Sequence, residues 1–217
     1  PLRSAMSPKS SESRKPPPRD MDASPFSAIL AGLVARIPGA YAAALVDWEG
    51  ETVDYTGHVD PFDVKVAAAE LSLVLKAMKE RDLGEPRWFI ARGTSRTLMT
   101  HAMPEGYAVT VLLKKRAGFT ASRRALLVAK GALAREAAWP IEEIHWYPVE
   151  VRTERGRPVR VTYKNDVHSV VVLGTVVGLS ARERGFRVRT DTGNEITLVR
   201  EAGNWWYADD PPAGRGP

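Results

Sequence analysis

The chain has 217 residues, 44% hydrophobic and 26% charged, with a net charge of +5 and no cysteine. At about 150 residues per domain, this length predicts one compact unit plus something smaller, and the ordinary composition excludes collagen-like, coiled-coil and wholly disordered chains. Without cysteine there is no disulfide scaffold, no thiolate nucleophile and no thiolate-held zinc or iron–sulfur site.

Residues 1–24 include Pro16-Pro17-Pro18 and few large apolar side chains. They read as a flexible tail, because so little buried surface does not offset chain entropy. Ser24-Pro25 then starts a helix, with Ser24 as the cap and Pro25 at the first helical position. Phe26, Ile29, Leu30, Leu33 and Ile37 form its apolar stripe, and Pro38-Gly39 stops it. Ala40–Val46 reads as a small-residue strand, Asp47-Trp48-Glu49-Gly50 as a turn, and Glu51–Tyr55 as the returning strand.

Asp60–Arg81 predicts a long helix with two apolar stripes. At 100° per residue, Phe62, Val66, Ala69, Leu73 and Ala77 fall on one side, and Val64, Ala67, Ala68, Leu71, Val74, Leu75 and Met78 on the other. A surface helix needs only one apolar face. Periodicity leaves open which of the two faces a partner chain. Pro86–Arg92 follows as a strand with Trp88 and Ile90 on one side and Phe89 and Ala91 on the other. Ser95–Met103 and Tyr107–Leu113 continue a meander, and Thr120–Ala138 closes the unit as a helix whose core stripe is Leu126, Ala129, Leu133 and Ala137. The order is αββαβββα.

Beyond Trp139-Pro140 the chain shifts to Val, Arg and aromatics. Six short strands are predicted, at Val149–Val151, Pro158–Tyr163, His168–Val177, Phe186–Thr190, Glu195–Val199 and Trp205–Tyr207, with turn clusters such as Asp191-Thr192-Gly193-Asn194 between them. This spacing suggests a small barrel or rolled sheet. The expected organisation is a tail at 1–24, a first domain at 25–138, a linker at 139–147, a small β domain at 148–208 and a second tail at 209–217.

The element order, the hairpin Leu45-Val46-Asp47-Trp48-Glu49-Gly50 with Thr52-Val53, and the two-faced helix at 60–81 together resemble the roadblock/dynein-light-chain (LAMTOR-type) family over residues 25–138. The resemblance implies an α+β fold, with a five-stranded antiparallel sheet in the order 2-1-5-4-3 and helices on both faces. It also implies a homodimer formed through the third strands and long helices, and a role in regulating or scaffolding small Ras-like GTPases, in bacteria those of cell polarity and motility. The second half resembles a small, largely uncharacterised bacterial β domain, through Pro148-Val149-Glu150-Val151, Gly156-Arg157-Pro158-Val159 and Trp206-Tyr207. That likeness implies no activity.

The residues agree with a dimer independently. Trp88–Ala91 is an uncharged apolar run of the kind that edge strands avoid unless they are covered. Phe62, Val66, Ala69 and Leu73, with Trp88, Phe89 and Ile90, are the candidate self-association surface. Lys114, Lys115 and Arg116 before the last helix, and Arg123 and Arg124 at its start, oppose the helix dipole and are candidates for an acidic partner. Arg96 is a candidate arginine finger for a GTPase site.

Catalytic signals are lacking. Neither phosphate-binding glycine motif nor G-x-S-x-G occurs, and His58, His101, His145 and His168 are isolated, so no cofactor, metal or enzymatic activity is expected. Glu142-Glu143 and Asp209-Asp210 read as solvated charges. Net charge divides as +2 over residues 1–24, +3 over 25–138 and zero over 139–217. Nucleic-acid binding through Arg187 and Arg189 beside Tyr163, Trp205, Trp206 and Tyr207 is therefore the minor alternative, and those aromatics read first as core. A purely structural subunit of a larger assembly is the third reading. No membrane-length apolar run or signal-peptide core is evident, so the expected location is the cytoplasm.

Overall fold

In a computed structural model, which describes residues 18–81, 86–115, 117, 123–140, 146–163, 165–177, 179 and 182–209, Ser24 caps helix α1 (Pro25–Arg36) by accepting from the Phe26 N–H at 3.2 Å. Helix α1 buries Leu30 and Leu33. Strand β1 (Ala40–Val46) is buried from Ala42 onward on both faces, which is why its residues are small and apolar throughout. The Asp47 carboxylate accepts from the N–H groups of Glu49 and Glu51, each at 2.9 Å, and turns the chain into β2 (Thr52–Gly57). Asp60 caps α2 (Pro61–Glu80) through the Phe62 N–H at 2.9 Å. Strands β3 (Trp88–Arg92), β4 (Arg96–Ala102) and β5 (Ala108–Lys114) form the meander, and α3 (Arg123–Glu136) closes the unit. The expected start of that last helix, Thr120–Ser122, lies outside the described residues.

The strands assemble in the order β2-β1-β5-β4-β3, every pair antiparallel. Helix α2 lies on one face, where Val64, Ala67, Ala68 and Leu75 pack with Ala42, Ala44 and Leu112. On the other face α1 and α3 pack Leu30, Leu33 and Leu133 with Ala43, Leu45 and Val111. Each large buried aliphatic contributes about 1.5–3 kcal/mol through apolar surface removed from water. Gly57 allows β2 to lie close to β1. Its φ is +131°, and an added Cβ would sit 2.5 Å from the Ala42 Cβ and 2.6 Å from the Tyr41 carbonyl oxygen.

The second half is a closed barrel in the order β10-β11-β6-β7-β8-β9, built from β6 (Tyr147–Glu154), β7 (Arg157–Tyr163), β8 (Asp166–Val176), β9 (Arg184–Thr190), β10 (Glu195–Arg200) and β11 (Trp206–Ala208). Arg155 and Gly156, both at positive φ, make the two-residue turn between β6 and β7 that favours right-twisted hairpins. Val161, Val188, Leu198 and Trp206 fill the interior. Alternation along β11 sends Tyr207 the opposite way, into the core beneath α1 and α3. Arg36 stacks over the Trp205 ring at 4.6 Å and Arg124 over Trp146 at 4.4 Å, so the barrel rests against the α1–α3 side of the sheet unit.

Residues 18–24 behave differently from the flexible tail expected of them. Fully buried Asp54 on β2 accepts from the Arg19 guanidinium, the Ser24 hydroxyl and, at 2.7 Å, the Ser27 hydroxyl. Asp20 accepts from the Tyr55 hydroxyl at 2.9 Å and pairs with Lys65 at 2.8 Å. Composition undervalued this stretch, because its anchoring is polar and fixed by one carboxylate. Burial of Asp54 opposes ionisation, but its hydrogen bonds from Ser24, Ser27, Arg19 and the Tyr55 N–H outweigh that effect and hold its pKa below the ordinary value.

Two outcomes follow. Gly57→Ala should lower stability by at least about 2 kcal/mol, from the clash and the positive φ together, read as a fall in denaturation midpoint. Asp54→Asn should cost roughly 2 kcal/mol at neutral pH. Because the folded pKa is depressed, the carboxylate's contribution is complete above the unfolded-state pKa and is lost as pH falls through the folded value. The stability gap between parent and variant should therefore close below about pH 4.

Candidate functional site

Helix α2 shows which of its two stripes is internal. Val64, Ala67, Ala68, Leu71 and Leu75 face the sheet, whereas Phe62 and Leu73 are 70% and 53% exposed, Val66 is exposed and Ala69 is half-buried. Val74, grouped by periodicity with the buried set, is also exposed. Strand β3 forms one edge of the sheet, and among the described residues its one strand neighbour is β4, with Trp88 opposite His101 and Ile90 opposite Met99. Trp88 is 57% exposed, while Phe89 and Ile90 are half-buried on opposite faces, Phe89 toward the α2 layer and Ile90 toward α1 and α3. Of the seven predicted self-association residues, Phe62, Val66, Leu73 and Trp88 are exposed, whereas Ala69, Phe89 and Ile90 are half-buried, Ile90 on the sheet face opposite α2.

Besides Val74, a turn residue outside that set belongs to the exposed apolar surface of this unit. Trp48, at the tip of the β1–β2 turn, is 58% exposed, with the Lys76 ammonium 6.0 Å from its ring centroid. A turn tryptophan carries no periodic signal, so only the folded geometry reveals its exposure.

The basic candidates divide. Lys114 and Lys115 are exposed. Arg116 lies outside the described residues, and Arg123 opens α3. Arg96 points its guanidinium at Asp63 in the first turn of α2, 3.7 Å away, and so has a partner within the chain. Arg124 is not available to an acidic partner. Its guanidinium is mostly buried, pairs with Glu183 and, at 2.9 Å, with Glu201, and stacks on Trp146. The positive charge near a helix start is thus compensated from the barrel, a partner too distant in sequence for local reasoning to find.

The barrel's aromatic residues are mostly internal. Phe186, Trp206 and Tyr207 are buried, and Trp205 lies beneath Arg36. Arg187 and Arg189 share the Glu195 carboxylate, at 3.2 and 2.8 Å. Hydrogen bonds from Arg189 and then Arg187 hold Glu195 below the usual carboxylate range. Among the described residues that face offers no exposed ring for stacking bases, and Arg187 and Arg189 are already paired with Glu195, so the geometry does not favour nucleic acid.

The histidines do not converge. His58 borders an open cleft between α1 and β2, His101 Nδ1 lies 2.8 Å from the Ala102 carbonyl oxygen, and His168 is buried with Nδ1 3.1 Å from Asp191. His145 and Glu142-Glu143 lie outside the described residues. Asp209 accepts from the Thr197 N–H at 2.7 Å and so closes the end of the barrel, instead of being a solvated charge.

No family model matches the chain, and no curated protein matches it. Solved structures do. A roadblock/LC7 domain from Streptomyces avermitilis is 22% identical over 52% of this chain and 96% of its own, with a TM-score of 0.44. Myxococcus xanthus MglB is 17% identical over 52% of this chain and 94% of its own, and the gliding protein MglB of Thermus thermophilus is 17% identical over 52% and 88%, both with a TM-score of 0.46. The strand order β2-β1-β5-β4-β3, with α2 on one face and α1 and α3 on the other, is the arrangement that the sequence resemblance implies. The N-terminal half of this chain thus has the sheet order and helix placement that the roadblock resemblance implies, and a closed six-stranded barrel follows it.

Proposed function

We propose that this chain is a non-enzymatic regulator that pairs with a second copy through the outward stripe of α2 and the β3 edge, and that the pair docks a small Ras-like GTPase in the cytoplasm. The observations that carry the pairing are the row Phe62, Val66 and Leu73 on the solvent side of a helix whose other face packs on the sheet, and exposed Trp88 on the sheet's edge strand. A two-fold contact would cover helix face and strand edge at once. The GTPase rests on the roadblock-type fold and on the resemblance that the sequence carries. The dimer would act through differential affinity for the nucleotide states of its partner.

Light scattering should report two copies at tens of micromolar, and Phe62→Glu with Leu73→Glu should give one copy of unchanged fold, since burying two carboxylates at an apolar contact costs several kcal/mol. A parent protein that stays a single copy would contradict the pairing. In the cells that make the protein, a tagged chain should retain a Ras-like protein to different extents with non-hydrolysable GTP and with GDP. Equal retention, or none, would leave a structural-subunit role in its place.

A further inference from the structure

The barrel carries an apolar surface of its own. Along β8, His168, Val170 and Val172 point inward, so Val167, Ser169, Val171 and Leu173 point out. Val171 is 68% exposed, and Val167 and Leu173 are also open to solvent. Seven residues of strand make a ridge of roughly 20 Å. Arginines flank it on both sides. On β9, Arg189 is the register partner of Val171, and Arg187 that of Gly174. On β7, Arg160 is the register partner of Ser169 and also faces Arg152 on β6. Val151 and Val161 line the interior, so Arg152 and Arg160 meet on the outer face.

Two like charges directly opposite each other destabilise a strand pair. The neighbouring strands show how this chain resolves such a pair, because Arg187 and Arg189 share one carboxylate, that of Glu195. Among the described residues, the one carboxylate paired with either Arg152 or Arg160 is that of Glu154, 3.8 Å from Arg152. A carboxylate supplied from outside would complete the same arrangement there.

The N-terminal unit holds the complementary surface. The carboxylates of Asp47, Glu49 and Glu51 lie within 4.8 Å of one another in the turn that also carries exposed Trp48. Acidic groups so crowded repel one another, and the tryptophan of the same turn is largely uncovered. We propose that the β8 ridge with Arg152 and Arg160 docks the acidic Trp48 turn of another copy of this chain, with Glu49 and Glu51 toward the arginines and Trp48 against Val167 and Val171. The two surfaces differ, so the contact is heterologous and links copies head to tail. It is also small, so it is weak and salt-sensitive. The ridge is aliphatic and offers no ring for a base to stack on, and a closed barrel has no edge for strand addition, which favours a side-chain-mediated protein contact.

Sedimentation velocity of the full chain at rising concentration tests this. The weight-average mass should climb past that of two copies at low salt and fall back at about 0.5 M salt. Glu49→Lys with Glu51→Lys, Arg152→Glu with Arg160→Glu, and Trp48→Ala should each abolish the climb with circular dichroism unchanged. An equimolar mixture of the two charge-reversed variants should restore it, because each then meets its complement. A mass that ignores salt and concentration, or variants that associate like the parent, would overturn the proposal, as would folded charge-reversed variants that fail to recover on mixing. Phe62 and Leu73 belong to neither the acidic turn nor the ridge, so Phe62→Glu with Leu73→Glu should lower the starting mass and leave the salt-dependent climb in place.

Discussion

A helix laid on a sheet buries one face, and α2 has apolar residues on two. That constraint organises the N-terminal unit. Val64, Ala67, Ala68, Leu71 and Leu75 complete one core against the sheet, and the opposite side retains Phe62, Val66 and Leu73 in solvent. Leaving such residues exposed forgoes about 25 cal/mol for each Å² of apolar surface that a partner would cover. The same sheet ends at β3, where backbone groups close the ladder, so this unit carries apolar demand on α2 and hydrogen-bonding demand at its β3 edge.

The other flank is already occupied. Helices α1 and α3 pack on the sheet from below, and the barrel meets them through Tyr207, Trp205 and Trp146. Arg124 joins the halves by pairing with Glu183 and Glu201. This division of labour leaves the α2 side as the open face of the sheet unit and gives the barrel a structural role, with its own outward surface at β8.

Much of this was legible in the residues. Small apolar residues in β1, capping by Ser24 and Asp60, and the two-stripe pattern of α2 are local signals, and strand order then follows from the family resemblance. The stripe Phe62, Val66 and Leu73 was legible from its helical spacing, but only the packing of α2 on the sheet shows that it is the outward one. What escaped is non-local or polar. Arg124 looked like a free charge because its partners are 59 and 77 residues away. Asp54 anchors residues 19–27 through hydrogen bonds that no hydrophobic pattern encodes. Trp48 sits in a turn, where periodicity says nothing about exposure.

Amide hydrogen exchange at β3 tests the central claim most directly. If a second copy covers that edge, the amides of Trp88–Arg92 should exchange slowly at high protein concentration and speed up on dilution, while those of β5 in the middle of the sheet stay protected throughout. Fast exchange in β3 at every concentration, with β5 protected as before, would show an edge that stays bare and would contradict the account.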